Sequence, residues 1–167
     1  MSKLLSKQLY DETEKPGQLF DKPTHEIIFD RYHFSSELIK NKRVLEVGPG
    51  AGFGLSYLSA ISKSYNAIEF SEKNIESLKS QDTGNAEISQ GDAHNIPFSD
   101  GSFDIILALA MIYYLDLEDF LMEANRSLSD SGTLFFCTSN KNVPGFCEAP
   151  YTTCYYSIPD LNKELEA

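Results

Sequence analysis

Residues 44–54 read Val44-Leu45-Glu46-Val47-Gly48-Pro49-Gly50-Ala51-Gly52-Phe53-Gly54. The first four residues form a short, mainly apolar run that predicts a buried strand, and apolar residues at helical spacing follow from position 55. The glycines between them occupy alternate positions, where they permit backbone torsions closed to other residues and let a ligand approach the main chain. The following helix adds the positive end of its dipole. The segment therefore predicts a ligand-binding loop, with a glycine-rich turn that binds nothing as the alternative.

The spacing of these glycines narrows the class of ligand. Strand-to-helix glycine loops of this kind bind dinucleotides or S-adenosylmethionine. The dinucleotide fingerprint G-x-G-x-x-G needs a third glycine at position 53 or 55, where the chain has Phe53 and Leu55. A phosphate-binding P-loop would need G-K-[ST], which does not follow the loop. The spacing thus favours S-adenosylmethionine over a dinucleotide or a bound phosphate.

Strands and helices alternate through the rest of the chain. The strands are mainly apolar throughout, which is typical of a parallel sheet covered by helices on both faces. We therefore predict an α/β fold with a doubly wound, mainly parallel sheet of five strands, whose ligand crevice lies beyond the carboxyl ends of the strands. The predicted strands are 44–47, 65–70, 86–89, 103–109 and 133–137; the predicted helices are 25–40, 55–61, one capped by Ser71, 117–128 and 158–167; a turn is predicted at Asp130-Ser131-Gly132.

Four motifs in order support a family resemblance. The pattern Glu46-x-Gly48-x-Gly50-x-Gly52 resembles the first motif of the class I S-adenosylmethionine-dependent methyltransferases, in particular the UbiE-like (type 11) domain. The segments 91–98, 102–106 and 128–134 resemble that family's adenine loop, fourth strand and turn into the fifth strand. The resemblance covers residues 25–140 and implies a Rossmann-like fold with S-adenosylmethionine as cofactor. The implied cofactor contacts are Glu46, Gly48, Pro49, Gly50, Gly52, Glu69, Phe70, Asp92, Ala93 and Leu107.

Three of these acidic residues have alternative roles. Glu69 ends the second strand, where it would accept the ribose hydroxyl hydrogens or stand as a solvated strand end. Asp92 would accept from the adenine amino group or shape a turn. Glu46 would line the methionine portion or make a structural hydrogen bond to its own glycine loop, because an unpaired carboxylate in an apolar strand is costly.

The catalytic chemistry has no clear sequence signature. Methyl transfer displaces a neutral, activated leaving group, so the enzyme mainly aligns the nucleophile, and a general base is optional. Tyr113, Tyr114 and His33 are weak candidates, as are Tyr10, Tyr32 and His94. Many relatives carry Glu-His where Tyr113-Tyr114 stand, so that histidine base is absent.

The two ends of the chain differ in composition from the central domain. Residues 1–24 are polar and predict an N-terminal arm or lid. Residues 141–167 combine an aromatic loop, which suits a ring-shaped or sugar-like acceptor, with a final helix. Short segments here and at 25–34 are similar to methyltransferases of surface-polysaccharide or nucleotide-sugar pathways. Family members add two more strands after the fifth, so we expect an exposed fifth-strand edge, open to a homodimer, or a truncated C-terminus.

Composition excludes several classes of function. The chain has 167 residues, with 14 Lys and Arg against 25 Asp and Glu, a net charge of −11 that disfavours nucleic acid. Its longest apolar run, 105–115, is shorter than the ~20 residues of a membrane-spanning helix. The spacing of its three cysteines predicts reduced thiols and no metal site. We therefore expect a cytoplasmic protein with a small-molecule substrate.

Three hypotheses follow for the function. The first is a methyltransferase acting on a small molecule such as a sugar or polysaccharide precursor. The second is a non-catalytic module that binds S-adenosylmethionine or serves as a truncated partner subunit. The third is a nicotinamide-dependent oxidoreductase, which Phe53 and Leu55 disfavour.

Overall fold

Five parallel strands form a single sheet in a computed structural model that describes residues 22–148 and 152–166. The order across the sheet is β3-β2-β1-β4-β5, so the chain runs outward from β1 in one direction and then returns to add β4 and β5 on the other side. The strands are β1 (Arg43–Val47), β2 (Ser64–Glu69), β3 (Ala86–Gln90), β4 (Phe103–Leu109) and β5 (Leu128–Cys137). The helices are α1 (Lys22–Ile39), α2 (Leu55–Ile61), α3 (Glu72–Lys79), α4 (Leu117–Ser127) and α5 (Ile158–Glu166), with a short 3₁₀ turn at Ile112–Tyr114.

The predicted α/β fold with a parallel sheet is confirmed, and two of the predicted boundaries are wrong by more than one residue. Helix α1 begins at Lys22 rather than His25. Strand β5 begins at Leu128 rather than Thr133, because Leu128 already pairs with Phe103 of β4. Thr133 pairs with Ile105, so the residues between Leu128 and Thr133 form an irregularity within the strand. The predicted turn at 130–132 is therefore part of this bulge and does not precede the strand.

Two apolar cores cover the two faces of the sheet. On one face, Leu45, Val47, Ile68 and Ile106 pack with Phe120 of α4. On the other face, Val44, Ala67 and Leu107 pack with Ile39 of α1, Leu55 and Leu58 of α2, and Leu78 of α3. Because successive side chains of a strand point to opposite faces, strands buried on both faces are apolar at nearly every position. That burial explains the continuous apolar runs in the sequence.

The edges and ends of the molecule bear on the remaining predictions. Within the described residues, β5 is the last strand on its side of the sheet, and pairing of two copies through that edge stays a prediction. None of the described helices combines the length and apolar character that a membrane span requires. Residues 1–21 of the predicted arm at 1–24, which include Tyr10, lie outside the described residues. Tyr151 of the predicted aromatic loop lies outside them too.

Candidate functional site

The glycine loop lies at the carboxyl end of β1, in the middle of the sheet. Gly48 donates its N–H to the Ile68 carbonyl of β2 at 2.9 Å, which extends the β1–β2 pairing into the loop. Gly50 follows with φ of +54°, a left-handed conformation that favours glycine. The backbone therefore turns sharply at the point where β1 and β2 both end, and no side chain projects from Gly48 or Gly50 into the space above.

The acidic end of β2 is hydrogen-bonded to this loop. One oxygen of the buried Glu69 carboxylate accepts from the Gly50 N–H at 3.3 Å. Its other oxygen accepts from the Ser71 N–H at 2.9 Å, at the start of α3. The structure thus brings the two predicted groups, the glycine loop and the Glu69 carboxylate, into direct contact.

Asp92 belongs to a separate hydrogen-bonded turn after β3. Its Oδ1 accepts from the His94 backbone N–H at 2.9 Å and lies 2.8 Å from Nδ1 of the His94 ring. The Nε2 atom of that ring accepts from the Asp116 N–H at 3.0 Å, which assigns the proton to Nδ1. Among the described residues no donor contacts the other Asp92 oxygen, so the turn-forming role and an acceptor role toward a ligand are compatible. His94 thus links this turn to Asp116, the residue that precedes α4.

Glu46 lies inside the protein and makes a different contact from the two predicted. It is 1% exposed, and it accepts hydrogen bonds from the hydroxyls of Tyr65, at 2.8 Å, and Tyr32. Burial raises the pKa of the Glu46 carboxyl to about 7, against the effect of the two tyrosine hydrogen bonds. The carboxylate therefore joins α1 and β2 beneath the glycine loop. Among the described hydrogen bonds, Glu46 accepts none from the loop itself.

Tyr32 also packs directly on the loop. A Cβ added at Gly54 would overlap the Tyr32 ring, so the ring occupies the space that any larger residue at 54 would fill. Gly52 is limited in the same way by Leu78 of α3. Gly52 and Gly54 therefore leave room for the side chains of Leu78 and Tyr32, whereas Gly48 and Gly50 border the cleft.

A cleft opens above the carboxyl ends of β1 and β4, between α1 and the residues that follow β4. Ala110, directly after β4, has φ of +60°, which is unusual for a residue other than glycine, and its N–H donates to the Cys137 carbonyl of β5 at 2.9 Å. Such strained positions occur often at functional sites. The lining residues are Ile28, Arg31, Tyr32, Gly48, Pro49, Gly50, Ala51, Phe53, Leu109, Ala110, Met111, Tyr113 and Tyr114.

The cleft contains some of the predicted site residues and lacks others. Tyr113 and Tyr114 line it, whereas His33 lies on the exposed side of α1, where its ring stacks on Phe29 at 5.9 Å. Leu107 is fully buried in mid-strand, and the neighbouring Leu109 lines the cleft in its place. Ala93 is buried in the core and Phe70 is 36% exposed; neither lines the cleft.

Several residues that line the cleft were not predicted from the sequence. Ile28 and Arg31 belong to α1, and no local motif indicates which side of that helix meets the loop. Leu109 ends β4 and Met111 lies two residues beyond it, both within the apolar run 105–115, and their position at the carboxyl end of the strand was the available signal. No group of three or more His, Cys, Asp or Glu residues within the described part of the chain could hold a metal ion.

The aromatic loop before α5 contacts Tyr113, one of the residues that line the cleft. Thr153 donates from its N–H and from its hydroxyl to the Tyr113 carbonyl, at 2.7 and 2.8 Å. The Tyr155 ring lies 5.0 Å from that of Tyr113, and Phe146 packs edge-on against Tyr155 at 4.8 Å. The described part of this loop thus supports Tyr113 through its backbone and its ring.

A family model and the curated relatives of this chain all indicate methyltransferases. A family model for a methyltransferase domain matches residues 45–136. The chain is 31% identical over 125 residues to a phthiotriol/phenolphthiotriol dimycocerosates methyltransferase of Mycobacterium ulcerans, covering 71% of this chain and 46% of that protein. It is 32% identical over 102 residues to the fatty-acid O-methyltransferase of Mycolicibacterium smegmatis, covering 59% of this chain and 37% of that protein. The chain thus spans less than half the length of these curated relatives.

A solved structure shares the fold. Phosphoethanolamine N-methyltransferase 1 of Haemonchus contortus, solved with phosphoethanolamine and S-adenosylhomocysteine, superposes with a TM-score of 0.71 at 19% identity. The match covers 98% of this chain and 38% of that protein.

Proposed function

The chain belongs to the family of methyltransferase domains, and from this membership we propose that it transfers a methyl group from S-adenosylmethionine to a small, largely apolar acceptor. One observation carries the proposal: the glycine loop after β1, which lines the cleft, is hydrogen-bonded through the Gly50 N–H to the buried carboxylate of Glu69 that ends β2. A cofactor with an amino-acid end and a ribose requires such a neighbouring pair of groups.

The residues present fit this cofactor. Gly48 and Gly50 leave the backbone open to a close neighbour, as a methionine portion lying on the loop requires. Glu69 would accept from the ribose hydroxyls by releasing its contact with the Gly50 N–H. The second oxygen of Asp92 would accept from the adenine amino group while Oδ1 keeps its contacts with His94. Glu69 is fully buried, so this assignment requires its carboxylate to become accessible when the cofactor binds.

The cleft favours an apolar acceptor. Ile28, Phe53, Leu109 and Met111 line it together with two tyrosine rings. The two curated relatives named above act on a fatty acid and on phthiotriol lipids, as their names state. We therefore propose a lipid-like acceptor; the sugar-like acceptor suggested by the aromatic loop has no support from these relatives.

The chemistry of the site is mainly alignment. S-adenosylmethionine, when bound, supplies a methyl group on an activated sulfonium sulfur. The chain would hold the acceptor oxygen or nitrogen in line, and its apolar walls would exclude water. A carboxylate acceptor needs no base at neutral pH, whereas a hydroxyl acceptor does. Tyr113 and Tyr114 are the candidates for that role among the predicted residues, because they line the cleft and His33 does not. Tyr32 also lines the cleft, but its hydroxyl is hydrogen-bonded to the buried Glu46 carboxylate.

Calorimetry with S-adenosylhomocysteine tests the cofactor assignment. We expect binding by the parent chain and an affinity about 10- to 100-fold lower for Asp92→Ala, the range for loss of a hydrogen bond to a charged group. Asp130→Ala is the matched control, because that carboxylate is exposed on β5. No binding by the parent, or equal affinities for the parent and Asp92→Ala, would contradict the assignment.

A second assay separates catalysis from simple binding. The chain is incubated with S-adenosylmethionine and dodecanoate, and mass spectrometry follows formation of methyl dodecanoate. Product formation supports a methyltransferase with a lipid-like acceptor. Cofactor binding without product from dodecanoate, dodecanol or a nucleotide sugar would favour the non-catalytic module.

A further inference from the structure

Arg31 differs from the other two arginines of the chain. Arg43 forms an ion pair with Asp104 at 2.6 Å, and Arg126 forms ion pairs with Asp100 and Glu123 at 2.7 and 2.8 Å. No carboxylate or carbonyl among the residues that the structure describes accepts a hydrogen bond from Arg31. In a chain with a net charge of −11, a guanidinium that has no acceptor among the described residues is available to an anionic ligand.

Arg31 is the one charged residue among those described as lining the cleft. It is half-buried on α1, and its neighbours across the cleft include the glycine loop. Burial raises the pKa of the Cys137 thiol, and the positive charge of Arg31 opposes that rise. The guanidinium is therefore close enough to the carboxyl end of β5 to influence a group there, and it lies within an otherwise uncharged site.

The next residue in the chain holds α1 in this position. The Tyr32 ring packs on Gly54, and its hydroxyl donates to the buried Glu46 carboxylate. These two contacts fix the backbone of α1 against the glycine loop, so the Arg31 side chain starts from a fixed point at the wall of the cleft. A cation held at a fixed place in an apolar cleft binds an anion more strongly than one on a mobile surface side chain.

We propose that Arg31 binds a carboxylate in the cleft. A guanidinium matches a carboxylate because its planar fork donates two parallel hydrogen bonds. The inference rests on the proposed function, which provides two sources of this group: the amino-acid end of the cofactor, which would lie on the glycine loop, and the head group of a fatty-acid acceptor. Both sources share the same chemistry, and ligands that lack the carboxylate distinguish them.

The first arm of the test measures the cofactor. S-adenosylhomocysteine carries the carboxylate, whereas 5′-methylthioadenosine has the same nucleoside and sulfur without it. For Arg31→Met we expect the dissociation constant of S-adenosylhomocysteine to rise about 10- to 100-fold, and that of 5′-methylthioadenosine to change less than about twofold. Arg31→Lys should recover part of the loss. Lys40→Met is the control, because it removes the same charge just after α1, where Lys40 pairs with Glu37 outside the cleft.

The second arm measures the acceptor. With the protein saturated by S-adenosylhomocysteine, calorimetry compares dodecanoate with dodecanol. Loss of dodecanoate binding alone in Arg31→Met assigns the carboxylate to the acceptor, and a change confined to the first arm assigns it to the cofactor. Normal binding of all four ligands by Arg31→Met overturns the inference while leaving the proposed function intact. Failure of the parent chain to bind S-adenosylhomocysteine overturns the proposed function itself.

Discussion

The buried carboxylate of Glu46 should make the stability of the protein depend on pH. Its pKa of about 7 lies above the ordinary value of 4.5, because burial disfavours the charged form. The groups that face it are the hydroxyls of Tyr32 and Tyr65, which favour the charge, and the carboxylate of Glu69, which opposes it. Between pH 4.5 and 7 the folded state therefore keeps a proton that the unfolded chain has already released.

The sign of the effect follows from this difference in bound protons. The free energy of unfolding falls as pH rises from about 4.5 to about 7, and it levels off above that. At 1.36 kcal/mol for each pH unit, the difference between the two pKa values corresponds to ~3 kcal/mol. Glu46→Gln replaces the carboxyl with a neutral group of similar shape, so we expect this part of the pH dependence to disappear.

Urea unfolding at pH 5, 6, 7 and 8, followed by far-ultraviolet circular dichroism because the chain has no tryptophan, measures the effect. We expect Glu46→Gln to gain ~2.5 kcal/mol relative to the parent chain on going from pH 5 to pH 8, whatever its stability at pH 5, because a part of the full effect already appears below pH 5. Glu37→Gln is the control: hydrogen bonding to Lys40 lowers the pKa of Glu37, so its titration lies below this interval. Parallel curves for Glu46→Gln and the parent would refute the reasoning.

Three further perturbations test the contacts around the site. Gly54→Ala should lower stability by ~1–3 kcal/mol in thermal unfolding, because the added methyl group overlaps the Tyr32 ring, and it should cost much less in a Tyr32→Ala background. Arg126→Met should lower stability by ~1–3 kcal/mol in urea unfolding, because two partly buried backbone carbonyls, those of Ile96 and Phe98, lose their guanidinium donor; a loss below ~0.5 kcal/mol would contradict this. Tyr65→Phe should destabilise the protein more at pH 8 than at pH 5, since its hydroxyl stabilises the charged form of Glu46; an equal loss at both pH values would argue against that role.

Much of the fold was predictable because it depends on local patterns. Strands buried on both faces need apolar residues at nearly every position, and β4 meets that need most fully, whereas β1 and β2 keep apolar residues between charged or polar ones. The limits of α1 and β5 were less predictable. Residues 128–132 look like a turn, yet Leu128 pairs with Phe103, a contact between positions 25 apart in the chain that no local pattern reveals.

The site shows the same division. Alternate glycines between a strand and a helix predicted the loop, and the carboxylate at the end of the second strand predicted its neighbour. His33 and Leu107 could not be placed in the same way, because one residue of helical rotation or one step along a strand changes which side chain reaches the cleft. The structure puts His33 on the outer side of α1 and buries Leu107 two residues before the end of β4.

The sequence by itself determined the order of strands and helices along the chain, the glycine loop and the family motifs, because each of these depends on residues that are close together in the chain. The tertiary structure alone decided the partners of Glu46 and the position of Arg31. Glu46 is hydrogen-bonded by tyrosines from α1 and β2, and Arg31 reaches the cleft because Tyr32 packs on Gly54. These contacts arise from the packing of a helix across the sheet, and that packing is set by the shapes of distant residues rather than by any local motif.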